Sequence, residues 1–312
     1  MIKPLVYHPG QRTLQEEAGT VRVANKLADW IGPVADFARG ADLVVLALPE
    51  NGAGLRFALL SGAAPLVRLA DLPELRLELP AGLAEHVQTP TACGGLVISL
   101  GLARRARVNG FLYGRAAAPE LVATEAFTLC RKYFAPSVPA CDAPLRVGPA
   151  VRTPLALDHP LLADVLGRAE TAFLATVSPD GMPDVAHRGG APGFLEYDPA
   201  ARRLCWSEYV GDGVFKSAGN VRATGTMALL ALDLASGDGV CLYGRGDYRN
   251  TRADRGREDA LVQHREHHPQ QGVMACEIVR AERLREVLHP RRRVDRVPRI
   301  TSRSTVPEQK PQ

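Results

Sequence analysis

Several kinds of chemistry find no footing in this chain. Its six cysteines, Cys93, Cys130, Cys141, Cys205, Cys241 and Cys276, form no CxxC pair and have no companion histidine at metal-ligand spacing. They read as small apolar residues of a reducing compartment, which excludes a disulfide framework and a cysteine-based zinc site. No metal is expected. Aromatic residues make up only 5% of the 312 positions, and the formal net charge of +4 gathers near the end, in His289-Pro290-Arg291-Arg292-Arg293. No basic stripe is interleaved with aromatics, so nucleic acid is not an expected partner. No apolar run approaches the roughly 20 residues of a membrane helix, and MIKPLVYHPGQRTLQEEAG at the start has no apolar run of signal-peptide length. The expectation is a cytoplasmic protein with no membrane contact. Phosphate-binding GxGxxG after a strand, GxxxxGK[ST] and the GxSxG elbow are also missing.

What the chain does have is a repeat. Leu43 to Pro80 and Ala172 to Tyr209 each give an apolar strand, an Asn-Gly or Asp-Gly turn, a second strand running into a Gly-Ala-Pro-containing segment, an acidic turn with proline, and a further strand. GGLVISLGLARRARVNGFLYGR (94–115) is echoed by TMALLALDLASGDGVCLYGRGDY (226–248), with Leu-Tyr-Gly-Arg in both. A period this long is a duplicated domain. About six short strand signals per half and few helical patterns predict a mainly β (α+β) protein of two tandem six-stranded antiparallel barrels with short connecting helices. Helices are expected over Thr13 to Phe37, Val214 to Ala223 and Ala253 to His267, and a last strand over Val273 to Arg283. The expected boundaries are a first half with a leading helix (1–137), a Pro-rich linker (138–160) in which prolines block regular pairing, a second half (161–288) and a basic, disordered tail (289–312).

The second half concentrates the candidate chemistry. In FLATVSPDGMPDVAHRGGAPGF the strand after the Asp180-Gly181 turn runs into His187-Arg188-Gly189-Gly190, a cation beside two residues that bare the backbone. That arrangement suits an anion such as phosphate, or equally a strand end with a bulge. Lys216-Ser217 and Asn220 open the connector helix, whose N-terminus also favours phosphate. Trp206 and Ser207 end the preceding strand and offer a flat wall and a hydroxyl. Together these residues predict a site for a phosphorylated planar cofactor.

PDVAHRGGAPGF, the Trp-Ser strand end, GDGVFKSAGNVRAT and MALLALDLASGDGVCLYGRG together resemble the FMN-binding split-barrel proteins related to pyridoxamine 5'-phosphate oxidase. YHPGQRTLQEEAG, RRARVNG and EAFTLCRKY in the first half are similar to the tandem members of that group, and the resemblance covers most of residues 7 to 285. It implies a split barrel in which FMN lies in a groove between two barrels, formed within one chain as an intramolecular pseudo-dimer or in a homodimer. It also implies that Arg188, Lys216 and Ser217 hold the phosphate, that Ser207 and the backbone of His187 to Gly190 face the flavin, and that Asn220 anchors the helix. Arg107, Asn109, Lys132 and Tyr133 become groove residues contributed by the first half. The chain departs from the pattern at Gly211-Asp212, Thr224-Gly225 and Ala64-Pro65-Leu66, so at most one cofactor site per chain is expected.

The function implied is an FMN-dependent oxidoreductase acting on a small molecule, with an external electron donor or oxygen as partner. His187 is the candidate acid or base by position, against a structural role for a lone strand histidine. Two alternatives stand beside it. One is an accessory protein that binds a cofactor or small molecule without catalysis. The other is a haem-binding split barrel, for which His264, His267 and His268 cluster at helical spacing in a polar segment that also reads as a solvated helix face.

Overall fold

The computed structural model describes residues 3–29, 31–50, 54–62, 66–69, 76–79, 90–114, 119–129, 133–140, 151–251 and 270–294. The chain begins with β1 (Lys3–Pro4), α1 (Pro9–Glu17), α2 (Val21–Ala24), β2 (Ala28–Asp29) and α3 (Ile31–Ala38). β3 (Leu43–Glu50), β4 (Gly54–Ser61), β5 (Arg68–Leu69), β6 (Arg76–Glu78), β7 (Thr91–Ser99), β8 (Arg104–Tyr113) and β9 (Glu120–Thr128) build the first sheet. After β10 (Ser137–Pro139), β11 (Val151–Leu155) and α4 (Pro160–Arg168) come β12 (Thr171–Val177), β13 (Pro183–Gly189), β14 (Glu196–Asp198) and β15 (Arg203–Tyr209). α5 (Lys216–Thr224), β16 (Thr226–Asp233), β17 (Asp238–Asn250), β18 (Gln270–Arg285) and β19 (Arg291–Arg293) complete the described chain.

The duplication is visible in the pairing. The first sheet runs β4-β3-β7-β8-β9-β6-β5 and the second β13-β12-β16-β17-β18-β15-β14, the same antiparallel path with each strand in the same place. Seven strands lie on each path where six were expected, the extra one being a strand of two or three residues at the edge. Even the irregularities correspond. The ladder between β8 and β9 slips at Asn109/Gly110, and that between β17 and β18 slips at Tyr243/Gly244. In both bulges a side chain on the glycine would collide with a carbonyl of the neighbouring strand, Val122 or Glu277. Matching those two glycines corrects the sequence alignment: the two Leu-Tyr-Gly-Arg stretches stand four residues out of phase, so their likeness is a coincidence laid over a real repeat.

Three of the four apolar clusters among the described residues follow from the alternation of strand residues. One lies within the second half, around Trp206, Leu174 and Leu229, and one within the first, around Leu46, Val97 and Val108. The third joins the halves: Leu43, Val45, Phe57 and Ile98 pack with Phe173, Val185, Leu230 and Leu284. Burial of these faces at about 25 cal/mol per Å² makes the seam a structural core in its own right. At Gly94 an added Cβ would come within 2.6 Å of the Asp184 backbone, so the first sheet reaches β13 only because that position is bare.

Several expected boundaries shift. The leading segment is three short helices rather than one over Thr13 to Phe37, because Gly19 at φ 68° turns the chain after α1. α1 serves the second half: it packs on α5, with Gly219 so close to Gln11 that a Cβ would meet its Cγ at 2.5 Å, and Leu14 is wholly buried in the second core. Part of the expected linker is β11, paired with β18 despite Pro154. Arg291–Arg293 of the expected tail pair with β10, and Arg291 is buried, donating to the hydroxyl and the carbonyl of Ser137. The connector helix and the last strand appear as α5 and β18, within a few residues of expectation. The helix expected over Ala253 to His267, the three clustered histidines and the end of the tail lie outside the described residues. No helix among the described residues is long and apolar enough to cross a membrane.

Candidate functional site

A cleft opens along the seam where β13, β15 and the start of α5 face β8 and the segment after β9. β13 presents Ala186 to Gly189, β15 presents Trp206 to Tyr209, and α5 presents Lys216, Ser217 and Ala218. The first half adds Arg105, Arg107, Leu129 and Tyr133. Nine of the thirteen expected site residues therefore line one space: His187, Arg188, Gly189, Trp206, Ser207, Lys216, Ser217, Arg107 and Tyr133. Asn109 and Asn220 line a neighbouring cavity instead, Gly190 lines neither, and Lys132 lies outside the described residues.

Four cations line the cleft, Arg105, Arg107, Arg188 and Lys216, against two carboxylates, Glu208 and Asp212. The groups facing the cleft carry two more positive than negative charges, which favours an anion there, while Glu125 and Asp184 lie within 3.2 Å of Lys216 and Arg107, respectively, on the far side of its wall. α5 adds to it. Its N-cap is Phe215 in the left-handed region at φ 56°, with no side-chain cap, so the helix N-terminus turns towards the cleft with its first N–H groups uncapped by any side chain.

These cations are not idle. Arg188 Nε lies 2.5 Å from Oε1 of buried Glu208, which also accepts the indole N–H of Trp206 at 2.8 Å. Lys216 Nζ donates to Glu125 at 2.7 Å, and Arg107 Nε donates to the carbonyl of Val185 at 3.1 Å beside Asp184 at 3.2 Å. Ser217 Oγ donates to Asp184 Oδ2 at 3.4 Å. Asp212 accepts from the Val214 N–H at 3.1 Å, which shapes the loop entering α5.

The bare backbone beside Arg188 is filled by the chain itself. A Cβ at Gly189 would fall on the carbonyl oxygen of Tyr133, and one at Gly190 would meet the Phe194 Cβ at 2.6 Å and its ring at 2.8 Å. The space left by the missing side chains admits the first half at Gly189 and a neighbouring aromatic at Gly190. Trp206 likewise does not present a flat wall, because its ring is wholly buried in the core and fixed by Glu208. Tyr133 and Tyr209, ring centroids 5.1 Å apart and tilted by 39°, supply the aromatic surface instead. Asn220 anchors α5: its Oδ1 meets His8 Nε2 at 2.8 Å and accepts from Gln11 at 2.9 Å, and its Nδ2 donates to Thr176 at 3.0 Å. Thr224 closes that helix through bonds to the carbonyls of Val177 and Asn220.

His187 is 7% exposed, held between the rings of Phe134 (4.7 Å) and Phe173 (5.8 Å), and its Nε2 is buried without a hydrogen-bond partner. Burial, with the charges of Arg105 and Arg188, holds its pKa well below the ordinary histidine value of 6.5. The ring is therefore neutral at pH 7. Arg105, Phe194, Glu208, Tyr209 and Phe215 were not among the expected site residues. Glu208 and Tyr209 follow Ser207 on β15 and Phe215 directly precedes Lys216, so these three carried a local signal, while Arg105 and Phe194 reach the cleft through the fold.

No family model and no curated protein matches the chain. Among solved structures it is similar to HupZ from Group A Streptococcus, at 15% identity over 39% of this chain and 90% of that one, with a TM-score of 0.28. It is similar to a putative pyridoxamine 5'-phosphate oxidase from Lactobacillus delbrueckii, at 18% identity over 39% of this chain and 91% of that one, TM-score 0.29. A pyridoxamine 5'-phosphate oxidase-related, FMN binding protein from Nostoc punctiforme matches at 13% identity over 45% of this chain and 89% of that one, TM-score 0.29. Two tandem antiparallel β halves in one chain, expected from the sequence, are observed in the strand order.

Proposed function

We propose that this split-barrel pair binds FMN in the seam cleft and works as a flavin-dependent oxidoreductase on a small molecule. The observation that carries the reading is the start of α5: a helix N-terminus without a side-chain cap, with Lys216 on it, opening into a cleft of excess positive charge between two barrel halves. The donor set fits a phosphate monoester. The space of about 110 Å³ suits the phosphate and its ester arm, and is smaller than the roughly 300–1,000 Å³ of whole small-molecule pockets. Tyr133 and Tyr209 would offer an aromatic surface to the planar part of the cofactor.

In this reading the first-turn N–H groups of α5, Lys216 and Ser217 hold the phosphate, while Arg107 sets the potential from the first half. Arg188 acts through Glu208 and Trp206, fixing the β15 end of the wall. FMN, when bound, supplies two-electron redox chemistry, with an electron donor or oxygen as the second partner. His187, neutral at pH 7, adds no charge to the wall and leaves the net potential to the arginines and Lys216.

Absorbance of the purified chain with and without added FMN tests the proposal. One bound flavin per chain, lost in a Lys216→Ala variant that still unfolds cooperatively, is the expected result; a colourless protein that ignores FMN refutes it. A second reading, a small-anion-binding protein without redox chemistry, is favoured by the pairing of Arg188 and Lys216 with carboxylates. It predicts binding of inorganic phosphate and none of FMN.

A further inference from the structure

Adjoining the seam cleft is a second and larger space, a solvent-open cavity of about 430 Å³ lined by the N-terminal segment, β8, β9, the turn between β12 and β13, and α5. Its size falls in the range of small-molecule sites. The two spaces share a single lining residue, Lys216. Their charge is opposite: three carboxylates, Glu125, Asp180 and Asp184, line the second cavity against one ammonium, that of Lys216.

We propose that this cavity is a binding site for a small organic cation, a primary amine or diamine, and that filling it strengthens anion binding in the seam cleft through the Lys216–Glu125 pair. The cavity half stands on its own; the coupling half rests on the cleft being an anion site.

The chemistry of the lining points to an ammonium group. Glu125 takes one hydrogen bond on each oxygen, from Asn109 at 3.1 Å and from Lys216 at 2.7 Å, so each oxygen keeps acceptor capacity for a further donor. The ring of Tyr7 already receives cations on its face, with Arg12 at 4.6 Å and Lys216 at 5.9 Å from its centroid. The opposite end of the cavity is fixed by the bonds of His8 and Gln11 to Asn220, which use up the neutral polar groups there. A metal ion is the poorer fit: no group of three or more histidines, cysteines or carboxylates among the described residues is arranged to hold one.

Coupling follows from the shared lysine. Glu125 and Lys216 neutralise one another across the wall between the two spaces, with side chains 16% and 10% exposed. An ammonium group in the cavity adds a second cation to Glu125, offsets its charge and so leaves more of the charge of Lys216 to the cleft. Linkage is reciprocal, so an anion in the cleft must tighten the cation by the same factor.

Isothermal titration of the full chain with 1,4-diaminobutane at low salt is the test. Saturable binding at one site per chain, weakened about tenfold or more by Glu125→Gln and by Asp180→Asn, is expected; Asp180 sits in an exposed turn, so its variant guards against a folding artefact at Glu125. Absence of saturable binding, or equal binding by wild type and both variants, overturns the site. With the diamine saturating, the affinity for FMN should rise about fivefold or more, and an unchanged affinity overturns the coupling. If FMN fails to bind at all, the same titration with inorganic phosphate measures the coupling, and the flavin reading falls while the cavity is judged by the diamine alone.

Discussion

Arg188 and Glu208 face each other across β13 and β15 at 2.5 Å, with side chains 18% and 5% exposed. A carboxylate that far from solvent depends on its cation. Removing one partner of such a pair leaves a buried charge without compensation and costs about 3–5 kcal/mol. Arg188→Gln is therefore expected to destabilise the second half by about that amount, and Arg188→Gln with Glu208→Gln to recover most of it. Denaturant unfolding of the three variants checks this. A single variant as stable as wild type would mean that the pair is not structural.

Gly189 is bare because the Tyr133 carbonyl occupies the space a side chain would need. Gly189→Ala should cost about 1–3 kcal/mol and loosen the seam where the cleft forms. Anion affinity is then expected to fall together with the melting temperature. A variant that melts normally yet loses the anion would return this glycine to the ligand.

His187 makes stability depend on pH with a definite sign. Its folded-state pKa lies below that of the unfolded chain, so the unfolded state binds the proton first as pH falls. Stability is full above about pH 6.5 and declines by up to about 1.4 kcal/mol per pH unit below it. His187→Gln removes that proton from the balance. Unfolding free energies at pH 7 and pH 5.5 should therefore fall less in the variant than in wild type; equal slopes would place the proton elsewhere.

Asn220 separates structure from ligand contact. It is 1% exposed and lines no part of the seam cleft. Asn220→Ala leaves the partners of its amide unsatisfied, at a cost of about 1–3 kcal/mol, with α1 loosened from α5. Limited proteolysis after α1 should accelerate. Below the melting temperature, anion affinity is expected to stay within about twofold of wild type.

How much of this was legible in the sequence follows the range of the interactions. His187-Arg188, Trp206-Ser207 and Lys216-Ser217 are neighbours in sequence at strand and helix ends, and local reading brought them to one place. Gly189 and Gly190 announced a close approach, but not what approaches, since the Tyr133 carbonyl arrives from 56 residues earlier. The repeat was readable from its turns, while its phase was misled by Leu-Tyr-Gly-Arg and corrected by the bulges at Gly110 and Gly244. The attachment of α1 to the second half, the strand at Val151–Leu155 and the partners of Arg188 and Lys216 depend on contacts between distant segments, which no local pattern encodes.

The corresponding bulges also define a second groove, the mirror of the first, and its fate differs. Position for position, Cys241 stands there for Arg107, Tyr243 for Asn109, Arg280 for Glu125 and Phe57 for Val185. Arg107 donates to the Val185 carbonyl; in the mirror position Arg152, arriving on β11, donates to the carbonyl of Phe57 and also to the Tyr243 hydroxyl at 3.2 Å. The segment joining the halves has plugged one groove with its own guanidinium. A symmetric homodimer has no such freedom, because every substitution in it is made twice. Fusion releases the two grooves from each other: Arg152 occupies one, and the other is free to keep a different lining.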